Sequence, residues 1–495
     1  MKALLIYPEY PATFWSFKYA LKFIHKKAAL PPLGLLTIGA MLPEEWPKKL
    51  IDVNVTRLED RDLAWADVVL ISGMVLQRKS AREIISRCKG ANLKVVAGGP
   101  LFSSEYDQFE DVDHFVLNEA ELTLPPFLAD LESGCARRVY ETTEFCDIAE
   151  TPVPLWDLID LKQYATMGIQ FSRGCPFNCE FCNITALFGH RPRMKTAEQI
   201  IVELDGLYSQ GWRGPVFFVD DNFIGNKAFL KSSLLPALIQ WQQKKKQIPF
   251  NTEASVNLAD DPELMEMMVK AGFDTVFIGI ETPNEESLTE CNKQQNKNRD
   301  LVESVKLMQR AGLQVTGGFI VGFDSDTPSV FQQQIEFIQK TGIVTAMVGL
   351  LSAPPGTRLY ERMKKEGRLL DRFSGDNVDG TTNILPKMGL DALREGYGNL
   401  MRHIYSPGHY YKRARVFLRE YKRPEIRTPL GVQHLLAIVR SSIRLGVFGR
   451  ERFEYWKMMF WALFRRPGML PLAVTIAIYG YHFRRICKLR IVEES

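Results

Sequence analysis

The sequence predicts an α/β fold in three successive parts: a doubly wound parallel sheet, a second run of six β/α units, and a basic, helical C-terminal region. Three observations carry this reading. Short apolar runs alternate with helical patterns over residues 1–145 and again over 166–390, as in βαβ units building parallel sheets. A polar stretch with Pro152 and Pro154 and no periodicity separates the two, giving a linker at 146–165. From 391 to 495 the strands stop and the pattern is helical, aromatic and rich in arginine. A chain of 495 residues has room for two or three domains.

In the first part, residues 3–7, 50–55, 68–72, 94–97 and 114–117 read as buried strands, and 33–42, 80–89 and 121–132 as helices. Doubly wound sheets bind ligands at the carboxyl ends of their strands. Those ends are Tyr7-Pro8, Ser72-Gly73-Met74 and Gly98-Gly99-Pro100. Small residues there let a large planar ligand approach the backbone.

In the second part, strands are predicted at 168–172, 215–219, 250–254, 275–280, 314–321 and 345–351. The helix predicted at 196–208 opens on a capping box, Thr196 with Gln199, and carries an apolar stripe through Ile200, Leu204 and Leu207. Six units are too few for a closed eight-fold barrel, and sites in β/α barrels collect at the carboxyl ends of the strands.

The loop after the first of these strands reads Arg173-Gly174-Cys175-Pro176-Phe177-Asn178-Cys179-Glu180-Phe181-Cys182. Three thiolates so close together can reach one soft metal centre, and cysteine thiolates hold iron–sulfur clusters. A four-iron cubane bound by three cysteines keeps one iron free for another ligand, and an open position marks a reactive metal site. The competing readings are zinc or three unrelated core cysteines. Zinc wants a fourth Cys or His, and the next candidate, His190, is eight residues beyond Cys182. Cys88, Cys135, Cys146, Cys291 and Cys487 read as incidental thiols, and no disulfide framework is indicated.

The C-x3-C-x2-C spacing, with aromatic Phe181 before the last cysteine, resembles the signature of the radical S-adenosylmethionine (SAM) superfamily. The resemblance implies a partial (β/α)6 TIM barrel in which Cys175, Cys179 and Cys182 bind a [4Fe–4S] cluster and SAM takes the fourth iron. Asp220-Asp221-Asn222 stands where the family holds SAM's amino group, with the choice of aspartate open. Glu253 and Ser255 would accept from the ribose hydroxyls. Glu281 after the fourth strand and Gly318 and Ile320 on the fifth resemble elements that contact adenine and the SAM backbone. Each has a plainer alternative: glycines at strand ends often serve packing, and Glu281 could cap the next helix.

A doubly wound domain ahead of such a barrel resembles the cobalamin-binding radical SAM enzymes, whose first domain is Rossmann-like. Pro31-Pro32-Leu33-Gly34-Leu35 and Gly98-Gly99-Pro100 look like that family's landmarks. The histidine motif D-x-H-x-x-G is missing, His25 and His114 standing in other contexts. Binding without a protein ligand to cobalt is therefore implied, with Met74, Val75 and Leu76 against the lower face. With its C-terminal extension the whole chain resembles the DUF4070 group, through residues 7–16, 220–227 and 252–256; Asn183 departs from the Asp expected there. The implied activity is methyl transfer from methylcobalamin to an unactivated carbon, after reductive cleavage of SAM. The alternatives are a cobalamin radical SAM enzyme that forms rings or carbon–carbon bonds without methylating, and a non-catalytic cobalamin sensor.

The charge of the chain is divided. Residues 401–495 hold 19 Lys and Arg against 6 Asp and Glu, so the other 400 residues are net acidic. A basic tail on an acidic body suggests an anionic partner, a membrane, nucleic acid or acidic protein, and the lack of a nucleic-acid motif makes nucleic acid the less attractive. Residues 468–483 are an uncharged run flanked by Arg465-Arg466 and Arg484-Arg485. The run is short for a span, so it fits interfacial contact or a core helix. The resemblance implies as partners a lipid or other hydrophobic substrate, such as a hopanoid, and a reductase, flavodoxin or ferredoxin as electron donor. The N-terminal apolar run is too short for a signal peptide, so the expected location is the cytoplasm, with peripheral contact on the membrane's inner face.

Overall fold

The computed structural model describes residues 1–245, 247–370, 374–376, 378–424 and 432–491. Strands β1 (Ala3–Tyr7), β2 (Lys48–Asp52), β3 (Val68–Ser72), β4 (Lys94–Gly98), β5 (His114–Val116) and β6 (Val139–Tyr140) form one sheet, in order β2-β1-β3-β4-β5-β6. All five pairings are parallel. The order reverses between β1 and β3, and the carboxyl-side crevice at such a reversal is where doubly wound sheets bind ligands. Both faces are covered, so β1 and β3 are continuous apolar runs, Ala3 to Ile6 and Val68 to Ile71 being buried. The sequence reading finds these strands to within three residues at either end but misses β6 and the short helices Asp60–Trp65 and Pro100–Glu105.

The second sheet comprises β7 (Met167–Ile169), β10 (Val216–Phe218), β11 (Phe250–Ala254), β12 (Phe273–Glu281), β13 (Gln314–Val321) and β14 (Ala346–Leu350). Its strands lie in chain order and are all parallel. With β7 and β14 as free edges the barrel is open. A small ribbon, β8 (Ser172–Arg173) with β9 (Arg193–Met194), flanks the cysteine loop. Burial alternates along the strands with period two. Val276, Ile278 and Ile280 are buried, while Phe277 and Gly279 between them are only half-buried. The half-buried set, which includes Asn251 and Glu253 on β11 and Ile320 on β13, lines the inside of the open barrel. Helices cover the outside; Ala197–Ser209 starts on the expected box, Thr196 with Gln199.

Beyond the barrel the chain is helical: Leu390–Tyr405, Pro407–Glu420, Val432–Ser441 continued by a π-turn at Ser442–Val447, Arg452–Arg465 and Leu470–Ile491. All but the first two residues of the uncharged run lie in the last helix, with Pro471 tolerated in its first turn. Ala473, Ile476, Ala477 and Phe483 are buried. Phe483 stacks on Phe14 at 4.1 Å, and the His482 ring is hydrogen-bonded to the Phe14 carbonyl at 2.9 Å. Of the two readings of this run, the core helix is the one found. Its flanking arginines are partly internal as well: Arg466 donates to the carbonyls of Leu418, Arg419 and Tyr421, and Arg484 pairs with Glu451 at 2.5 Å. Among the described residues no helix is long and apolar enough to cross a membrane.

Candidate active site

The cysteine loop leaves the carboxyl end of β7 and is fastened from three sides. From below, the buried Asp220 carboxylate accepts from the Ser172 backbone N–H, from Ser172 Oγ at 2.5 Å and from the Phe171 N–H at 3.3 Å. From the first sheet's side, Glu121 accepts from Arg173 at 2.7 Å, and Glu119 accepts from Arg173 at 3.2 Å and Arg193 at 2.7 Å. From the far side, Arg362 grips Glu180 with two bonds, 2.8 and 2.9 Å, and pairs with Asp324 at 2.9 Å. Bidentate, partly buried Arg–carboxylate pairs are the strong kind. Gly174 has φ +94°, and a Cβ there would come within 3.0 Å of three carbonyl oxygens, so the turn into Cys175 needs glycine.

Cys179 is buried, and Cys175 and Cys182 are half-buried. Burial pushes the Cys182 thiol up to about 12 and raises Cys175 too, and each neighbouring sulfur adds to the rise. One cation works against this: Lys293, whose Nζ lies 2.7 Å from Glu281 Oε1 and 6.0 Å from the Phe181 ring centroid. Burial disfavours its charge, but Glu281 and the Cys179 sulfur outweigh that and raise its pKa. Gln295 Nε2 stands 3.8 Å from Cys179 Sγ, and its buried Oε1 has no partner. The Cys291 carbonyl accepts from Glu180 N–H at 2.9 Å, so that thiol is buried beside the loop although it is distant in sequence. No motif marks Lys293, Gln295 or Cys291; they follow the short helix Glu285–Glu290 in the connection after β12.

No three His, Cys, Asp or Glu side chains among the described residues converge on a point one metal ion could fill. A single zinc ion needs such convergence. A cubane does not, because each thiolate binds a different iron. The donor set, three mutually interacting thiols with a buried ammonium beside them, fits an anionic iron–sulfur cluster.

The neighbouring carboxylates have separate roles. Asp220 is occupied as the loop's anchor; burial lifts it to about 7 against its hydrogen bonds. Asp221, the next residue, is raised to about 6 by burial, and Glu253 to about 8 by burial and by the two aspartates. Neither side chain accepts a hydrogen bond from another residue among those described, so both are available to a cation. Asn222 accepts from Ser255 N–H at 3.1 Å, and Ser255 Oγ is 2.6 Å from Asn257, which ties these three together. Glu281, at φ +62°, pairs with Lys293, and Asn284 caps the following helix instead. A Cβ at Gly318 would lie 2.7 Å from the Phe277 ring, so this glycine makes room inside the barrel. Ile320 packs in the cluster that holds Phe181, Phe323 and Cys291. Asn183 forms no side-chain cap on the helix it precedes.

At the switch point of the first sheet, the Pro8 carbonyl accepts from Gln77 and Asn54 side chains, and Gln77 also accepts from Met74 N–H at 2.8 Å. Sequence reading missed Gln77, which joins the ends of β1 and β3. Gly99 has φ +84°, and a Cβ on it would collide with Ser72 Oγ; one on Gly98 would meet the Val116 carbonyl at 2.5 Å. Gly34 has open space where a side chain would stand, a Cβ on Gly73 would rest in ordinary contact with Gln77 and Pro8, and Met74 is 42% exposed. This glycine-lined, histidine-free shelf fits a large ring ligand that takes no protein imidazole; His114 lies at the opposite end of β5, bonded to the Arg137 carbonyl. The loop after β1 then crosses to the barrel. Trp15 meets the Phe277 ring edge-on at 5.5 Å and approaches Met347 sulfur at 2.9 Å.

A model of the radical SAM superfamily matches residues 169–338, and one described as a domain of unknown function, DUF4070, matches 357–494. An uncharacterised methyltransferase of Synechocystis sp. is 42% identical over all of this chain and 94% of its own length. Hopanoid C-2 methylase of Rhodopseudomonas palustris is 34% identical over 97% of this chain and 92% of its own. Among solved structures, the cobalamin-dependent SAM radical enzyme OxsB, with aqua-cobalamin and SAM bound, superposes with TM-score 0.63 at 15% identity, covering 100% of this chain and 80% of OxsB. That likeness shows a shared fold.

Proposed function

The chain belongs to the radical SAM superfamily, in the group whose barrel is followed by a DUF4070 domain, and we propose that it is a cobalamin-dependent methyltransferase acting on an unactivated carbon of a polycyclic lipid, with C-2 of a hopanoid as the leading candidate. One observation carries the methyl-transfer reading. The loop leaving the first sheet's ligand crevice reaches the inside of the barrel, where Trp15 meets Phe277 and Met347, and this supports a reading in which the two cofactors would face one another. The hopanoid assignment rests on the near full-length likeness to the R. palustris enzyme.

In this reading Cys175, Cys179 and Cys182 hold the [4Fe–4S] cluster, and Asp221 with Glu253 receives the ammonium of SAM. Pro8, Gly34, Ser72, Gly73, Met74, Gly98 and Gly99 would form the bed for cobalamin. The bound cofactors supply radical generation and the methyl group; the chain supplies position and a dry site. Asp220, Glu121 and Arg362 keep the cysteine loop in register. Lys293 balances the charge gathered there, and Phe181 with Phe323 keeps water from the loop's inner face. The electron donor is a flavodoxin- or ferredoxin-type reductant. Lipids from a deletion strain and its parent, compared by mass spectrometry, test the assignment. The strain should lack a methylated polycyclic lipid and accumulate its desmethyl form; unchanged polycyclic lipids would overturn it.

A further inference from the structure

The C-terminal region contains a surface that the barrel does not use. The helices spanning Val432–Ser441 and Arg452–Arg465, with the π-turn between them, form a hairpin. Its inner side is well buried, through Leu445, Tyr455, Met458 and Ala462. Its outer side is apolar as well. Val439, Ile443 and Val447 follow one another at four-residue steps, about half exposed, and Phe448 at the tip is 80% exposed. Phe453 and Phe464 on the second helix are 76% and 78% exposed. Folding leaves this ridge in water, and large exposed apolar patches mark interaction sites.

Charge tells what covers it. Beside the ridge is a cleft of about 250 Å³ lined by Lys22, Arg440, Arg444 and Arg485 with Tyr19 and Tyr481, and Ile443 of the ridge forms part of its wall. All four cations are held by neutral groups. Arg440 donates to the Phe23 carbonyl at 2.7 Å, and Arg444 to Tyr481 Oη at 2.6 Å. Arg485 and Lys22 lie over the Tyr19 ring at 5.4 and 5.7 Å. Among the described residues no carboxylate pairs with any of the four. Four cations without a counter-charge call for an anion, and the adjoining ridge calls for hydrocarbon. An anionic lipid presents both, head and chain in that order.

We infer that this hairpin is the docking surface for an anionic lipid bilayer, with a headgroup phosphate in the cationic cleft and the ridge through Ile443, Val447 and Phe448 at the acyl boundary. The ridge is distinct from the uncharged run at 468–483, which is mostly buried and gives the cleft only Tyr481. The inference holds whatever the substrate, because its readout is binding rather than turnover.

The test is cosedimentation of the full-length holoenzyme with vesicles of phosphatidylcholine alone or mixed with phosphatidylglycerol. Binding to the mixed vesicles only is expected. Arg440→Gln with Arg444→Gln should weaken it about 25-fold, at about fivefold per charge near a membrane surface. Lys22→Gln with Arg485→Gln should act alike without touching the Phe23 contact, and Phe448→Ser with Phe453→Ser should abolish it. No binding to mixed vesicles, or binding indifferent to both charge pairs, would overturn the inference. So would light scattering that shows a dimer split by the phenylalanine variant, since a second copy would then cover the ridge. Thermal stabilisation by inorganic phosphate without vesicle binding would equally overturn it, reducing the cleft to a phosphate site.

Discussion

Glu121→Gln tests how the first sheet holds the cysteine loop. Glu121 accepts two hydrogen bonds from Arg173, at 2.7 and 3.1 Å, and a third from Thr151 at 2.7 Å. Burial alone would raise its pKa; the Arg173 contacts more than reverse that and bring it from 4.5 to about 2. Such a drop corresponds to about 3 kcal/mol of folding free energy. Because the folded-state pKa is depressed, the contribution is complete above pH 4.5 and disappears as pH falls toward 2. The variant, unable to ionise, should be less stable than the parent by about 3 kcal/mol at pH 7. The gap should close progressively below pH 4.5. Urea unfolding of parent and variant at pH 7, 5, 4 and 3 measures this. A gap at pH 7 below about 0.5 kcal/mol, or one equally wide at pH 3, would refute the argument. Iron content after reconstitution should fall with it, because Arg173 lies two residues before Cys175.

The two aspartates should separate cleanly. Asp221→Asn should weaken SAM binding about tenfold, in the range of one charged hydrogen bond, with iron content unchanged by colorimetric assay; Asp220→Asn should lower the iron content itself. Arg362→Ala, which frees Glu180, should leave secondary structure intact by circular dichroism but reduce cluster loading at fixed iron and sulfide. Gly99→Ala forces an unfavourable positive φ and a collision with Ser72, at a local cost of about 1–3 kcal/mol; cobalamin absorbance after reconstitution should drop while the cluster signal persists.

Much of the architecture was legible because period-two burial and strand–helix alternation are local signals. The strands at Phe250–Ala254 and Gln314–Val321 were placed to the residue, since each is bounded by proline or by glycine. The division of labour between Asp220 and Asp221 was not. Adjacent residues near a strand end point to opposite sides, and only the register of the neighbouring loop decides which carboxylate meets Ser172. Lys293 and Gln295 were missed for another reason: nothing in a polar loop marks it as folding over cysteines more than a hundred residues earlier. The uncharged run at 468–483 shows the limit of hydropathy. An apolar helix in a core and one at a lipid surface have the same composition, and only tertiary contacts such as the Phe14–Phe483 stack and the His482 bond to the Phe14 carbonyl identify the former. The exposed ridge sits on a hairpin whose sequence shows only a helical, aromatic and arginine-rich pattern.

The central claim, that the cysteine loop and the glycine shelf together transfer a methyl group, is tested most directly by one incubation. Protein reconstituted with iron, sulfide and cobalamin is given methyl-labelled SAM, a strong reductant and desmethyl hopanoid. The account predicts 5′-deoxyadenosine together with labelled methyl in the lipid, and loss of both when Cys175, Cys179 and Cys182 are replaced by alanine. Formation of 5′-deoxyadenosine while no supplied or co-extracted lipid acquires label would contradict it.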